Sequence, residues 1–156
     1  MTIQTYTDIL ITDFATELVN EAEHQKQADP DLQKSNLFID VLFLMGEIAA
    51  LERQARPHHE VYPVSRRLAG YLIRYLEMMS LTVNLHKTPA EIVSNFLKTG
   101  KLRPGEIGDS LKLLTSEAGY MMVEEDNDRF RSLNCITWHA IQACFTEFIH
   151  IYPEAE

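Results

Sequence analysis

The sequence predicts an all-α fold, a single bundle of five or six helices, on three observations. Apolar residues recur at spacings of three and four in six successive segments. Prolines at 30, 57 and 63 and a capping sequence at 88–91 punctuate those segments. No stretch alternates apolar and polar residues between hairpin-turn residues, so strands have no support.

The first helix is expected where Ile3, Tyr6, Leu10, Phe14, Leu18 and Ala22 share one face, and it ends at Asp29-Pro30. The same dipeptide is expected to open the second helix, with Asp29 as N-cap and Pro30 at the first helical position, where a missing N–H costs nothing. From Leu37, the positions Val41, Leu44, Met45, Ile48, Leu51 and Ala55 keep helical period until Arg56-Pro57. The stretch 57–63 reads as a short polar connection carrying His58, His59 and Glu60, with Pro63 in the first turn of the third helix. That helix turns Val64, Leu68, Tyr71, Leu72, Tyr75 and Met79 inward and runs to Ser80 or Asn84.

Thr88-Pro89-Ala90-Glu91 is a capping box: Thr at the N-cap, Pro at N1 and Glu at N3 satisfy free N–H groups reciprocally. The helix it opens is short, with Ile92, Val93, Phe96 and Leu97 inward, and Gly100 is expected to end it in the left-handed conformation. Residues 101–108, with Pro104, Gly105 and Gly108, read as a flexible connection. A fifth helix starts near Asp109, carries Leu111, Leu114, Ala118, Met121 and Met122, and breaks in the acidic run Glu124 to Asp128. A sixth carries Leu133, Ile136, Ala140, Cys144, Phe145 and Phe148 and stops before Pro153. Leu44, Glu47 and Leu51 match Leu114, Glu117 and Met121 at an offset of 70 residues, a trace of internal repetition that any two amphipathic helices would also give.

At 156 residues the chain suits one domain, residues 1–156, large enough to bury a core without disulfides or a structural metal. Its net charge of −9 argues against nucleic acid as a partner, since that contact depends on neutralising phosphates with Lys and Arg. No apolar run approaches the roughly 20 residues needed to span a bilayer, so no membrane partner is expected. Met1 to Gln4 lack the features of a signal peptide, which makes the cytoplasm the expected location. Cys135 and Cys144 lie nine residues apart on one helix, about 13 Å along its axis, and are expected to be buried, reduced thiols.

Divalent metals need several oxygen ligands converging from facing helices. Glu47 and Glu52 are five apart and misaligned, and Glu77 is alone along the third helix, with Ile73 and Gly70 one and two turns before it. The segments Leu44-Met45-Gly46-Glu47-Ile48-Ala49 and Leu68-Ala69-Gly70-Tyr71-Leu72-Ile73 resemble the two central helices of the MazG-like all-α nucleotide pyrophosphohydrolases. The resemblance implies Glu-x-x-Glu on the first helix and Glu-x-x-Asp on the second, binding magnesium and a nucleoside triphosphate, and a dimeric assembly. Only Glu47 stands where one of those acids belongs; Leu44 takes its partner's place, and the second motif reads Arg67-Leu68-Ala69-Gly70. The resemblance therefore implies a bundle that has lost its metal site.

His58 and His59 are ligand types but adjacent, and His24, His86, His139 and His150 are scattered, His139 being expected as a partly buried, hydrogen-bonded side chain. A Gly-x-Ser-x-Gly elbow and a phosphate loop are missing, so no catalytic residue and no metal ligand is assigned. Charge placement is the remaining signal. Arg53, Arg56, Arg66, Arg67 and Arg74 gather around the second and third helices, and acids gather near Glu117 and 124–128. The five arginines with Glu47 form the candidate site for an anionic ligand or an acidic partner surface, since guanidinium groups bind carboxylate and phosphate bidentately.

The leading expectation is a non-enzymatic bundle acting through protein contacts, as a homo-oligomer or as an adaptor or regulator of another protein, with no cofactor. The alternative is a nucleotide or phosphorylated small-molecule binding protein or hydrolase of the MazG-like class. Magnesium is the expected cofactor under that reading alone.

Overall fold

The computed structural model describes residues 3–32, 36–82, 87–103, 105–123 and 129–152, with side chains at 3–7, 82, 122–123 and 129–131 excepted. The expectations for Ile3, Tyr6, Asn84, His86, Pro104, Met122, the acidic run 124–128 and Pro153 lie outside the described residues or side chains. The fold is all-α, with no strand among the described residues. Six helices form one bundle: α1 (Ile3–Ala28), α2 (Leu37–Arg53), α3 (His58–Thr82), α4 (Pro89–Thr99), α5 (Ile107–Val123) and α6 (Arg129–Ile151).

α3 and α6 form the central pair, with α2 against α3, α5 against α6, and α2 against α5. α1 and α4 pack on the α3 side, touching each other as well. The centre is dense with aromatic rings. Phe14 of α1 meets Phe145 edge-on at 5.2 Å and Phe148 at the same distance, and Phe148 stacks on Tyr152 at 4.4 Å. Rings at these separations gain from edge-to-face and offset contacts beyond their burial.

The hairpin α2–α3 and the hairpin α5–α6 are alike in more than outline. α2 and α5 each span 17 residues and begin 70 positions apart, the offset at which Glu47 matches Glu117. The side-by-side placement of α3 with α6 and of α2 with α5 completes the correspondence.

The chain departs from expectation at four helix ends, each for a local reason. Asp29-Pro30 ends α1 but does not open α2, which starts seven residues later at Leu37 with Asn36 as N-cap. The Asp29 carbonyl accepts a hydrogen bond from the Arg74 guanidinium, and Leu32 packs against the core, and these contacts hold residues 29–32 out of a helix. α3 begins at His58, where the Pro57 carbonyl accepts from the Glu60 and Val61 N–H groups, and Pro63 lies inside the helix. Pro57 thus takes the initiating role assigned to Pro63, and the missing Pro63 N–H leaves one carbonyl, that of exposed His59, to water.

α2 stops at Arg53, and Ala55 is exposed beyond it instead of facing inward. Arg56 N–H bonds the Leu51 carbonyl and Ala55 N–H bonds the Glu52 carbonyl, a Schellman motif whose left-handed position, φ 53°, is held by alanine. Gly100 at the end of α4 is extended, with φ −105°. Glycine is required there by proximity: a Cβ would lie 2.5 Å from the Trp138 ring. The α4 capping box forms as expected, with Glu91 N–H donating to Thr88 Oγ1 at 3.2 Å and Thr88 N–H donating to Glu91 Oε1 at 3.3 Å. The loop after α4 is tied down by Gln142, whose side-chain amide accepts from the Arg103 N–H and donates to the Arg103 carbonyl.

Candidate functional site

The arginines disperse. Arg56 forms a bidentate pair with Glu60 at 2.6 and 2.7 Å, which holds the Glu60 carboxyl below its usual range. Arg66 points into the seam between α1 and α3, lies 5.1 Å over the Tyr62 ring and reaches Glu21 at 2.9 Å and Glu17 at 3.4 Å. Arg53 is exposed in the last turn of α2, without an ion pair among the described residues. Of the five, Arg67 and Arg74 line one cavity together. Glu47 stands beside the first of them, 3.7 Å from the Arg67 guanidinium.

That cavity, about 370 Å³, opens between α1, α2 and α3. Gly70 explains how the helices come close enough to frame it, since a Cβ there would meet Glu21 at 2.7 Å. Arg74 is buried, and among the described residues no carboxylate lies within ion-pairing distance of it. Tyr71 donates to Asp40 and lies 3.4 Å from the Tyr75 hydroxyl, and burial pushes both phenols above their usual range. The lining also holds Glu21, Asp29, His24 and the exposed side chain of Phe43. Three carboxylates against two guanidinium groups make the cavity amphoteric, not a basic anion site.

Histidine placement differs from the polar loop expected. His58 and His59 are exposed in the first turn of α3; His58 Nδ1 contacts the buried Glu147 carboxylate, and its ring stacks on His150 at 4.0 Å. Among the described residues no group of three or more His, Cys, Asp or Glu side chains is arranged to hold a metal ion. His139 is half-buried as expected, and burial lowers its pKa against the opposing influence of Glu117. Cys144 is buried and its thiol pushed well up by burial, whereas Cys135 is exposed, contrary to expectation. Cys135 falls on the side of α6 facing away from Cys144.

The residues missed from the sequence lie on α2 and α5. Ile39, Leu42 and Phe43 are 68, 47 and 64% exposed, and with Gly46, Ala49 and Ala50 they form the outward face of α2. At about 100° per residue these six positions centre opposite the buried set Leu37, Val41, Leu44, Met45 and Ile48. α2 is therefore apolar on both sides while only one side is covered. A helix hydrophobic all round belongs in an interior. Leu113 and Tyr120 add exposed apolar surface on neighbouring α5, so five of the seven large exposed apolar side chains among the described residues fall on this pair. No family model, curated protein or solved structure shows detectable similarity to the chain. Its own surface is thus what there is to read. No described helix is long and apolar enough to cross a membrane, so α2 is not a span.

Proposed function

We propose that the protein is a non-enzymatic interaction module that docks a protein partner on the outward face of α2 and α5. The observation that carries this reading is the uncharged stripe Ile39, Leu42, Phe43, Gly46, Ala49 and Ala50, exposed on a chain of net charge −9. Contiguous apolar surface of several hundred Å² marks interaction sites on soluble proteins. Aromatic residues, with few charges, characterise interface centres.

The test uses the tagged full-length chain in its source cells. The wild type elutes in an assembly heavier than 17.9 kDa, and Phe43→Glu elutes as the chain alone with its thermal unfolding unchanged. A surface substitution away from packed or capped positions shifts stability by about 0.5 kcal/mol or less. Elution of both forms as the lone chain removes the reading.

A second reading, a small-molecule site at the α1–α2–α3 cavity, draws support from Arg74, a buried guanidinium facing an open space. A buried charge gains from a ligand that completes its pairing. Because Asp29, Asp40 and Glu21 share the lining, the ligand has to bring donors or a cation beside its anionic group, which a nucleotide does through its base and a bound magnesium. Such a ligand raises the melting temperature. No shift across nucleotides with magnesium present removes this reading.

A further inference from the structure

We infer that the cavity between α1, α2 and α3 is built for a small zwitterion, an α-amino acid with an apolar side chain, its carboxylate on Arg74 and its ammonium on Asp40; the inference rests on the small-molecule reading of that cavity given above.

Arg74 supplies the site for the carboxylate. Its guanidinium is buried, and among the described residues one acceptor, the Asp29 carbonyl, meets its five N–H donors. A buried cation with no counter-ion is costly, and a ligand carboxylate bound side-on would use two of the remaining donors. Arg67 in the same lining already has Glu47 at 3.7 Å. Asp40 supplies the site for the ammonium. Its Oδ2 accepts from the Tyr71 hydroxyl, and its other oxygen has no bond with a described residue. Glu21 is engaged at both oxygens, one by Arg66 and one by Gln25, and Asp29 is exposed to water.

Tyr71 and Arg74 are three residues apart on α3 and so are neighbours on its surface, which sets Asp40, held by Tyr71, beside Arg74 on the cavity wall. These two opposite charges nevertheless stay outside ion-pairing distance of each other. Each is pinned by a hydrogen bond to a third group, so the gap between them stands ready before a ligand arrives, and such preorganisation favours binding. A molecule carrying ammonium and carboxylate on one carbon engages both.

One underused guanidinium against one underused acid suits a ligand without net charge, which a nucleotide lacking its metal is not. Among the described residues no three His, Cys, Asp or Glu side chains are arranged to hold a metal, and an ammonium needs no such convergence. Ala28, Phe43 and Leu44 give the cavity an apolar flank for the side chain. Its volume of about 370 Å³ lies within the ~300–1,000 Å³ of small-ligand sites.

The experiment follows amide NMR shifts of the isotope-labelled full chain during titration with L-leucine and L-phenylalanine. The controls are 4-methylpentanoate and 3-methylbutylamine, the leucine skeleton without its ammonium and without its carboxylate. At least one amino acid saturates shifts around the cavity, and the two leucine controls bind at least tenfold more weakly than leucine if leucine is the ligand. Asp40→Asn keeps an acceptor for Tyr71 and the shape of the side chain; it weakens the amino acid at least tenfold, does not weaken 4-methylpentanoate, and leaves the circular dichroism spectrum unchanged. Controls that bind as well as leucine, or an Asp40→Asn variant that keeps full affinity for the amino acid, overturn the proposal. Absence of cavity shifts with both amino acids also overturns it: if ATP with magnesium then shifts the same residues, the cavity remains a ligand site and only the class is wrong, and if nothing does, both readings fall.

Discussion

Single residues in this molecule carry costs that a change of one or two atoms reveals. Ala55 is the one described non-glycine residue with positive φ, a conformation that costs an L-residue about 1–2 kcal/mol. Ala55→Gly keeps both Schellman bonds and relieves that cost, so stability measured by urea unfolding rises by about 0.5–1 kcal/mol after the added entropy of the unfolded glycine. Gly100→Ala acts in the opposite sense: the new methyl drives against a Trp138 ring stacked on Phe96, and a loss of about 1–3 kcal/mol is expected by the same measurement. His139 adds a pH dependence. Burial lowers its pKa from 6.5, so the unfolded chain takes up a proton there before the folded one does. Stability is complete above that value and falls as pH drops through it, and His139→Gln flattens this part of the profile of unfolding midpoint against pH. Of these three residues His139 was legible as partly buried, Ala55 was misread as facing inward, and glycine at 100 was legible as special for the wrong reason, since helix-end statistics speak of φ and not of a ring packed from 38 residues away.

At the scale of elements, the hydrophobic period located all six helices, and the capping box fixed the start of α4 to the residue. Proline was read less well. Pro30 and Pro63 were both expected in the first turn of a helix, but Pro30 only ends one and Pro63 lies within one, because tertiary bonds from Arg74 to Asp29 and the nearer Pro57 decide the boundaries. The candidate site was half legible. Arg67 and Arg74 line one cavity, with Glu47 beside Arg67 but outside the lining, while Arg56 and Arg66 are absorbed by Glu60, Glu17 and Glu21, partners whose approach depends on how α1 crosses α3. The apolar outward face of α2 was visible as Ile39, Leu42 and Phe43 lying off the core period, a signal hidden by counting only the residues that fit. The join between α3 and the end of α6 rests on His58 and the buried Glu147. His58→Ala removes the only described partner of that carboxylate and should lower stability by about 1–3 kcal/mol, and adding Glu147→Gln to it restores part of the loss in a double-mutant cycle.

At the scale of the whole molecule, the two hairpins divide the contacts into near and far. Within each hairpin, α2 meets α3 and α5 meets α6 across short connections. The central contact of α3 with α6 joins residues such as Tyr62 and Phe148, 86 positions apart, at 6.0 Å between rings. Forming such a contact closes a long loop before any apolar area rewards it, so the speed at which the chain folds is set by the meeting of preformed halves rather than by helix formation. The expected signature is kinetic. In stopped-flow denaturant jumps, Tyr62→Leu or Phe148→Leu, whose rings meet between α3 and α6, slows refolding, whereas a truncation outside that contact, such as Val93→Ala in α4, mainly speeds unfolding. Equal effects of both kinds on the refolding rate would mean that the halves do not assemble as units. The arrangement that makes the bundle compact thus also makes its birth a search, with one half of the chain waiting for the other to be made.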